Sequence, residues 1–312
     1  MVLSSLSRRG FLTTSVVGIA GSGSLLRKAT VAAEVSDRPP ANRGRIFKSI
    51  KWGMFEKSLS VEERFQLAKV IGLDGLEFSS PSESDVVEVS KASQLAEIPV
   101  HGVVDEMHWR KRLSSPDETT REKGRQILAQ AIRDSHAVGG SSVLLVPGRV
   151  TGADETHEDV WNRSIPEIRQ VLPLASRLGV RILIENVWNG FCETPEQLRD
   201  YLDALESPWV GAYFDIGNVV KFSPSENWIR TLGHRIVKLD VKDWGRENGF
   251  CKIGDGDVNW PEVRKALAEI RFSGWCTAEV EGGDRARLAD VTRRMNQVLD
   301  LQVSETTNKR EK

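Results

Sequence analysis

Short apolar segments alternate with longer segments of helical spacing along most of this chain. Strand-like runs recur eight times, among them "RILIENV", "VGAYFDIGN", "RIVKLDVKD" and "GWCTAEV". The intervening segments, such as "TREKGRQILAQAIRDSHAVG", repeat apolar residues every three or four positions, as amphipathic helices do. Eight strands alternating with eight helices over roughly 260 residues is the pattern of a (β/α)8 TIM barrel.

Local start and stop signals support the same alternation. Helix starts are indicated by Ser60, Thr194 and Ser223, each followed by an acid-rich first turn, and by Pro195, Pro224 and Pro261 near first helical positions. Helix ends are indicated by Gly72, Gly139 and Gly179. A doubly wound sheet has the same alternation, but "GGSSVLLVPG" lacks the GxGxxG spacing of a dinucleotide site. The barrel is therefore the predicted fold.

The first 44 residues differ in composition from the rest. Paired arginines, Arg8 and Arg9, precede a weakly apolar stretch and then small residues near Ala33, which is the layout of a twin-arginine export signal. The apolar stretch is shorter than the about 20 residues that a membrane span needs. We therefore expect a signal peptide at 1–33, a linker at 34–44, one barrel at 45–302 and a polar tail at 303–312. The mature chain is expected to be exported to the periplasm or secreted, with no membrane partner after signal removal.

Charge and cysteine content narrow the function classes. The 312 residues carry a formal net charge of −1, with 39% hydrophobic and 28% charged residues. This balance gives no electrostatic reason to expect a nucleic-acid partner. The three cysteines form no CxxC pair and do not suggest a disulfide framework. Homo-oligomerisation is left open by the sequence.

Acidic residues stand at the ends of four consecutive predicted strands. Glu185, Asp215, Asp240 and Glu279 end strands five to eight, and the carboxyl ends of barrel strands form the face where barrel enzymes keep their sites. Four carboxylates without a counter-ion would repel one another, so a shared divalent cation is the economical interpretation. The alternative is a set of ion pairs at the rim, with Lys238, Lys242, Arg246 or Arg149.

Six motifs follow one another along the chain: "SIKWGMF", "IENVW", "FDIGN", "KLDVKDW", "IGDGDVNWPEV" and "GWCTAEVEGGD". With these motifs in this order, the chain resembles the xylose-isomerase-like sugar isomerases and epimerases, which include tagatose and ribulose 3-epimerases and hydroxypyruvate isomerases. The resemblance implies one divalent metal held by Glu185, Asp215, Asp240 and Glu279. It also implies that Glu185 and Glu279 are the catalytic proton carriers and that Arg246 contacts substrate oxygens.

The chain departs from the family pattern at two positions. Asp240 stands where the family has His in "H-x-K-D", and Asn218 stands where many members have His after the strand-six acid. An all-carboxylate set is a harder site, which should prefer Mn²⁺ or Mg²⁺ over Zn²⁺. A degraded metal site, in an exported barrel that binds carbohydrate without turning it over, is the alternative.

The resemblance implies a metal-dependent isomerase or epimerase that moves a proton through an enediolate on a ketose or keto-sugar. The sequence does not choose between epimerisation and aldose–ketose isomerisation, and it does not identify the sugar. Predicted substrate contacts are Arg246, His101, Trp188 and Asn218, with Glu77, Trp109 and Trp244 as further candidates. Glu106 and His108, in the loop after strand three, are candidate lid residues. Abasic-site endonucleases share the fold, but they need several histidines and a basic groove, and this chain has only five histidines.

Overall fold

The chain folds as a closed eight-stranded parallel barrel surrounded by helices, which confirms the predicted architecture. The structure is a computed structural model, and it describes residues 46–301. The predicted signal peptide, linker and polar tail lie outside the described residues. The strands are β1 Ile46–Lys51, β2 Gly75–Ser80, β3 Val100–Asp105, β4 Ser142–Leu145, β5 Arg181–Glu185, β6 Val210–Asp215, β7 Ile236–Val241, β8 Asp243–Gly245, β9 Gly249–Cys251 and β10 Gly274–Ala278.

The barrel closes in the order β1-β10-β7-β6-β5-β4-β3-β2. Strands β8 and β9 form a separate antiparallel hairpin between β7 and the seventh helix, an element that the hydrophobic pattern did not predict. The helices are α1 Val61–Val70, α2 Val86–Ala96, α3 Glu118–Ala137, α4 His157–Leu178, α5 Pro195–Ala204, α6 Ser225–Leu232, α7 Trp260–Glu269 and α8 Arg285–Val298. Within residues 46–301, none of these helices has the length and apolarity to cross a membrane.

Most helix boundaries follow the signals in the sequence. Ser60 and Thr194 cap α1 and α5 with reciprocal capping boxes, because each side chain accepts a hydrogen bond from the backbone three residues on. Gly72, Gly139 and Gly179 follow helix ends with positive φ values of 79°, 83° and 68°. The Ser223 prediction was wrong: α6 begins at Ser225, after Pro224. The Ser223 hydroxyl instead accepts a hydrogen bond from Trp228 Nε1 at 2.8 Å.

Side-chain alternation separates an outer core from a polar barrel interior. On β6, Ala212 and Phe214 belong to the large apolar core that includes the helix residues Leu128 and Ile168. Tyr213 faces the interior, where its hydroxyl lies 2.6 Å from Thr277 Oγ1 of β10. Successive strand residues therefore alternate between the outer core and the barrel interior, as expected of barrel strands.

A buried acid at the end of β3 gives the fold a pH dependence. Burial raises the pKa of Asp105 from 3.8 to about 7, although its Oδ1 accepts a hydrogen bond from Met107 N at 3.0 Å. Between these pKa values the folded chain binds more protons than the unfolded chain, so stability falls as pH rises from about 4 to about 7, by up to ~1.4 kcal/mol per pH unit.

We expect Asp105→Asn to remove this pH dependence of stability. The amide oxygen can still accept the hydrogen bond from Met107 N, and the amide does not titrate. Chemical denaturation at pH 4.5 and pH 7.5 measures it. The variant should gain stability relative to the wild type as pH rises between these values. Parallel pH profiles for the two proteins would contradict the prediction.

Candidate active site

The four acids predicted at strand ends come together at the carboxyl face of the barrel. Glu185 ends β5, Asp215 ends β6, Asp240 is the penultimate residue of β7, and Glu279 directly follows β10. One carboxylate oxygen from each lies within 4.8 Å of the others. The backbone fixes the last position, because Glu279 N donates a hydrogen bond to Val241 O at 3.3 Å.

Two lysine ammonium groups lie among these carboxylates. Lys242 Nζ is 3.2 Å from Asp215 Oδ2 and 2.5 Å from Glu279 Oε2. Lys51 Nζ, at the end of β1, is 3.0 Å from both oxygens of Asp240 and 2.7 Å from Glu77 Oε2 of β2. Of the four cations that the sequence offered as ion-pair partners for these acids, Lys242 forms such pairs in the structure. Lys51 forms further pairs that were not predicted. Five acidic side chains face two ammonium groups, so acids outnumber cations at the centre.

Burial shapes the electrostatics of the cluster. Burial and the neighbouring Glu279 carboxylate raise the pKa of Glu185 well above its ordinary value. Burial likewise raises the pKa of Asp240 well above its ordinary value, and that of Asp215 to a lesser degree. Burial also acts to raise the pKa of Glu279. The ammonium groups of Lys51 and Lys242 outweigh this effect, so the pKa of Glu279 is lowered. The centre therefore favours added positive charge.

The donor set fits a hard divalent cation. All four donors are carboxylate oxygens, the ligands that Mg²⁺, Mn²⁺ and Ca²⁺ prefer. Among the described residues, no hydrogen bond is donated to the buried Asp215 Oδ2 or Asp240 Oδ1, although each lies near an ammonium group. Glu185, Asp215, Asp240 and Glu279 are thus the residues that could hold an ion.

A cavity of about 650 Å³ opens onto the cluster. Glu185, Glu279 and Lys242 line it, together with the predicted substrate residues Trp188 and Asn218. Trp188 is 39% exposed, and its Nε1 donates to Asn218 O at 2.6 Å. Asn218 is held in turn, since its backbone N donates to Asp215 Oδ1 at 2.8 Å. The structure therefore brings Trp188 and Asn218 to the cavity wall.

The loop after β3 forms another part of the cavity wall. Glu106, His108 and Trp109 line the cavity. Val146 N donates to His108 Nδ1 at 3.4 Å, so the proton of a neutral ring resides on Nε2. Burial and the nearby Lys51 ammonium lower the pKa of His108 to about 3, which keeps the ring neutral at physiological pH.

The β8–β9 hairpin forms one side of the mouth and is held by a buried carboxylate. Asp243 Oδ2 accepts from Gly254 N at 2.8 Å and from Trp260 Nε1 at 3.0 Å. A Cβ at Gly256 would approach Asp243 Oδ1 to 2.2 Å, so only glycine fits there. The hairpin carries Phe250, which stacks on Trp188 with ring centroids 4.8 Å apart.

Two of the four predicted substrate contacts, and the further candidates Glu77 and Trp244, do not line the cavity. Arg246 lies in the exposed turn of the hairpin, outside the cavity lining, and its substrate contact stays a prediction. His101 is buried inside the barrel, where Nε2 lies 2.9 Å from Ser49 Oγ and Nδ1 lies 2.7 Å from Lys238 Nζ. Its ring stacks on Trp275 with centroids 4.5 Å apart. His101 therefore makes structural hydrogen bonds inside the barrel instead of lining the cavity.

Sequence reasoning missed Lys51 and Phe250 as cavity residues. Lys51 lines the cavity and ends its strand. Like Glu185, Lys51 is a charged side chain at the point where a buried barrel strand ends, a position that indicates a site residue. Phe250 lies on a hairpin that the apolar pattern does not reveal, since β8 and β9 have only three residues each.

Comparisons with known proteins agree with this geometry. The family model described as xylose isomerase-like TIM barrel matches residues 65–299. Among curated proteins, L-ribulose-5-phosphate 3-epimerase UlaE of Escherichia coli O8 (strain IAI1) is 27% identical over 254 residues, covering 73% of this chain and 85% of that enzyme.

Solved structures show the same fold at lower identity. The D-allulose 3-epimerase of Methylomonas sp., in complex with D-allulose, superposes with a TM-score of 0.66 at 18% identity and covers 82% of this chain and 96% of its own. The 3-keto-D-glucoside 4-epimerase YcjR of E. coli has a TM-score of 0.67 at 13% identity, covering 81% and 98%. At these sequence identities, the two structures show a shared fold only.

Proposed function

Because the chain belongs to the xylose isomerase-like TIM barrel family, we propose that it is a divalent-metal-dependent epimerase of a ketose or keto-sugar. Its relatives are sugar epimerases, enzymes of the isomerase class. The observation that carries the proposal is the meeting of Glu185 and Glu279 in one cavity beside two further carboxylates. Epimerisation is preferred to aldose–ketose isomerisation because the related enzymes named above are epimerases.

In this proposal, Glu185 and Glu279 act as the two proton carriers. They reach the cavity from β5 and from the end of β10, which are separated in the barrel by β6 and β7. A carbon held between them can lose its proton to one carboxylate and receive a proton from the other on the opposite face, which inverts the carbon. A divalent ion held by the four carboxylates would polarise the substrate carbonyl and thereby acidify the neighbouring C–H.

Other cavity residues would bind and orient the sugar. Neutral His108 can donate a hydrogen bond to a hydroxyl group without adding charge. Trp188 and the half-exposed Phe250 offer aromatic surface to the apolar face of a sugar ring. Asn218, buried beside Asp215, adds polar lining next to the cluster.

The test is exchange of a substrate proton with solvent. The purified chain is incubated with Mn²⁺ or Mg²⁺ in deuterated buffer with D-allulose, L-ribulose, L-ribulose 5-phosphate and a 3-keto-glucoside. NMR should show loss of the signal of the proton α to the carbonyl in at least one sugar, together with appearance of its epimer. A Glu185→Gln/Glu279→Gln double variant is the control. No exchange with any of the sugars would favour a carbohydrate-binding barrel.

A further inference from the structure

Lys51 is a buried cation that the proposed mechanism does not use. Its side chain is 11% exposed, and its ammonium group lies 4.7 Å from the centroid of the Tyr213 ring. The nitrogen is equidistant, at 3.0 Å, from the two oxygens of Asp240, and 2.7 Å from Glu77 Oε2. The Lys51 ammonium therefore forms ion pairs with Asp240, which belongs to the four-carboxylate cluster, and with Glu77, which does not.

Glu77 fixes this ammonium in place. The Glu77 side chain has no solvent exposure, and among residues 46–301 its ion-pair partner is the Lys51 ammonium. Moving Lys51 away would leave this buried carboxylate without an ion pair in that part of the chain, which is strongly unfavourable. Lys242 differs, because both acids that it contacts, Asp215 and Glu279, belong to the cluster.

Asp240 consequently has a cation in contact whether or not a metal ion is bound. We propose that Lys51 is a built-in counter-ion of the metal centre, which stabilises the metal-free barrel and, by sharing Asp240, weakens the binding of the divalent ion. The inference rests on the proposed function for the existence of the metal centre. Like charges close together in a buried site repel, so the ammonium and the ion oppose each other there.

The test measures binding of Mn²⁺ itself, by calorimetric titration of chelator-treated protein at fixed pH and buffer. Lys51→Met keeps the length of the side chain and removes its charge. We expect this variant to bind Mn²⁺ more tightly, by about tenfold or more, because the competing charge is gone. The Tm of its metal-free form should fall by several degrees, since Asp240 and Glu77 lose their cation, and saturating Mn²⁺ should restore more of the Tm than in the wild type.

A matched control and a second variant complete the design. Lys221 is exposed at the cavity rim, with Nζ 4.6 Å from the centroid of the Trp188 ring, and Lys221→Met should change Mn²⁺ affinity little. If Lys51→Met alone does not fold, the Lys51→Met/Glu77→Gln double variant is compared with Glu77→Gln. The double variant should bind Mn²⁺ more tightly than that single variant.

The outcomes separate this inference from the proposed function. Weaker or unchanged Mn²⁺ binding on loss of the ammonium overturns the counter-ion role, and so does a wild-type protein that binds no Mn²⁺. If Mn²⁺ binds as expected and no sugar exchanges its proton, the epimerase proposal fails and the role of Lys51 stands.

Discussion

Glu279→Gln is expected to reduce proton exchange on the substrate by at least about 10²–10⁴-fold, because the amide cannot accept the proton that the carboxylate takes. The substitution also removes one negative charge from the carboxylate cluster, which should weaken metal binding and lower the rate further. The substitution nearly preserves shape, and the residue is 37% exposed, so folding should remain intact. The rate is measured by NMR in deuterated solvent, and folding by chemical denaturation.

Glu281→Gln is the matched control for this variant. Glu281 is an exposed acid that lines the same cavity two residues further on, and the four-carboxylate cluster does not include it. We expect the control to retain most of the wild-type rate. Equal losses in the two variants would show that Glu279 acts through general charge at the cavity mouth rather than as a proton carrier.

Removal of the metal ion is expected to abolish turnover, and Mn²⁺ or Mg²⁺ should restore it better than Zn²⁺. Polarisation of a carbonyl by a metal ion contributes several kcal/mol, so chelation should reduce the rate by at least about 10²-fold. The preference follows from four carboxylate donors without an imidazole or thiolate. The measurement is the exchange rate of chelator-treated protein after addition of each ion at matched free concentration.

Asp240 tests this preference within the chain. Asp240→His introduces a nitrogen donor and should shift the preference toward Zn²⁺ or Co²⁺, while Asp240→Ala should lower the amount of ion bound. Metal content by elemental analysis accompanies each rate. Restoration of the wild-type rate by Zn²⁺ to the level reached with Mn²⁺ would contradict a site selective for hard ions.

The parts of the structure that follow from local chemistry were predictable from the sequence. Strand alternation placed Tyr213 and Asp215 on the interior face of β6, and packing shows the same arrangement. Capping residues such as Ser60 and Thr194 carry their own hydrogen-bond acceptors, so they mark helix starts without any tertiary context. The acids at the carboxyl ends of four strands indicated the site because parallel strands in a barrel end on one face.

Features that depend on barrel closure were not predictable in the same way. The Lys51–Asp240 ion pair joins residues 189 positions apart and forms only because β1 and β7 both flank β10. His101 was predicted to contact substrate from the end of its strand, but it is the second residue of β3, and its depth in the barrel gives it Ser49 and Lys238 as partners instead of the cavity. Ser223 had a capping side chain, but Pro224 follows it and α6 begins later.

The anchored hairpin has a consequence for altering substrate range. Its base is fixed by Asp243, whereas Phe250 at its far strand is 52% exposed and contacts Trp188 through its ring. Position 250 is not part of the four-carboxylate cluster, although the Phe250 ring centroid lies 5.2 Å from the Nζ of Lys242, which contacts Asp215 and Glu279. Smaller residues there would widen the entrance for sugars with bulky substituents, and the hairpin is the natural segment for directed evolution of this enzyme.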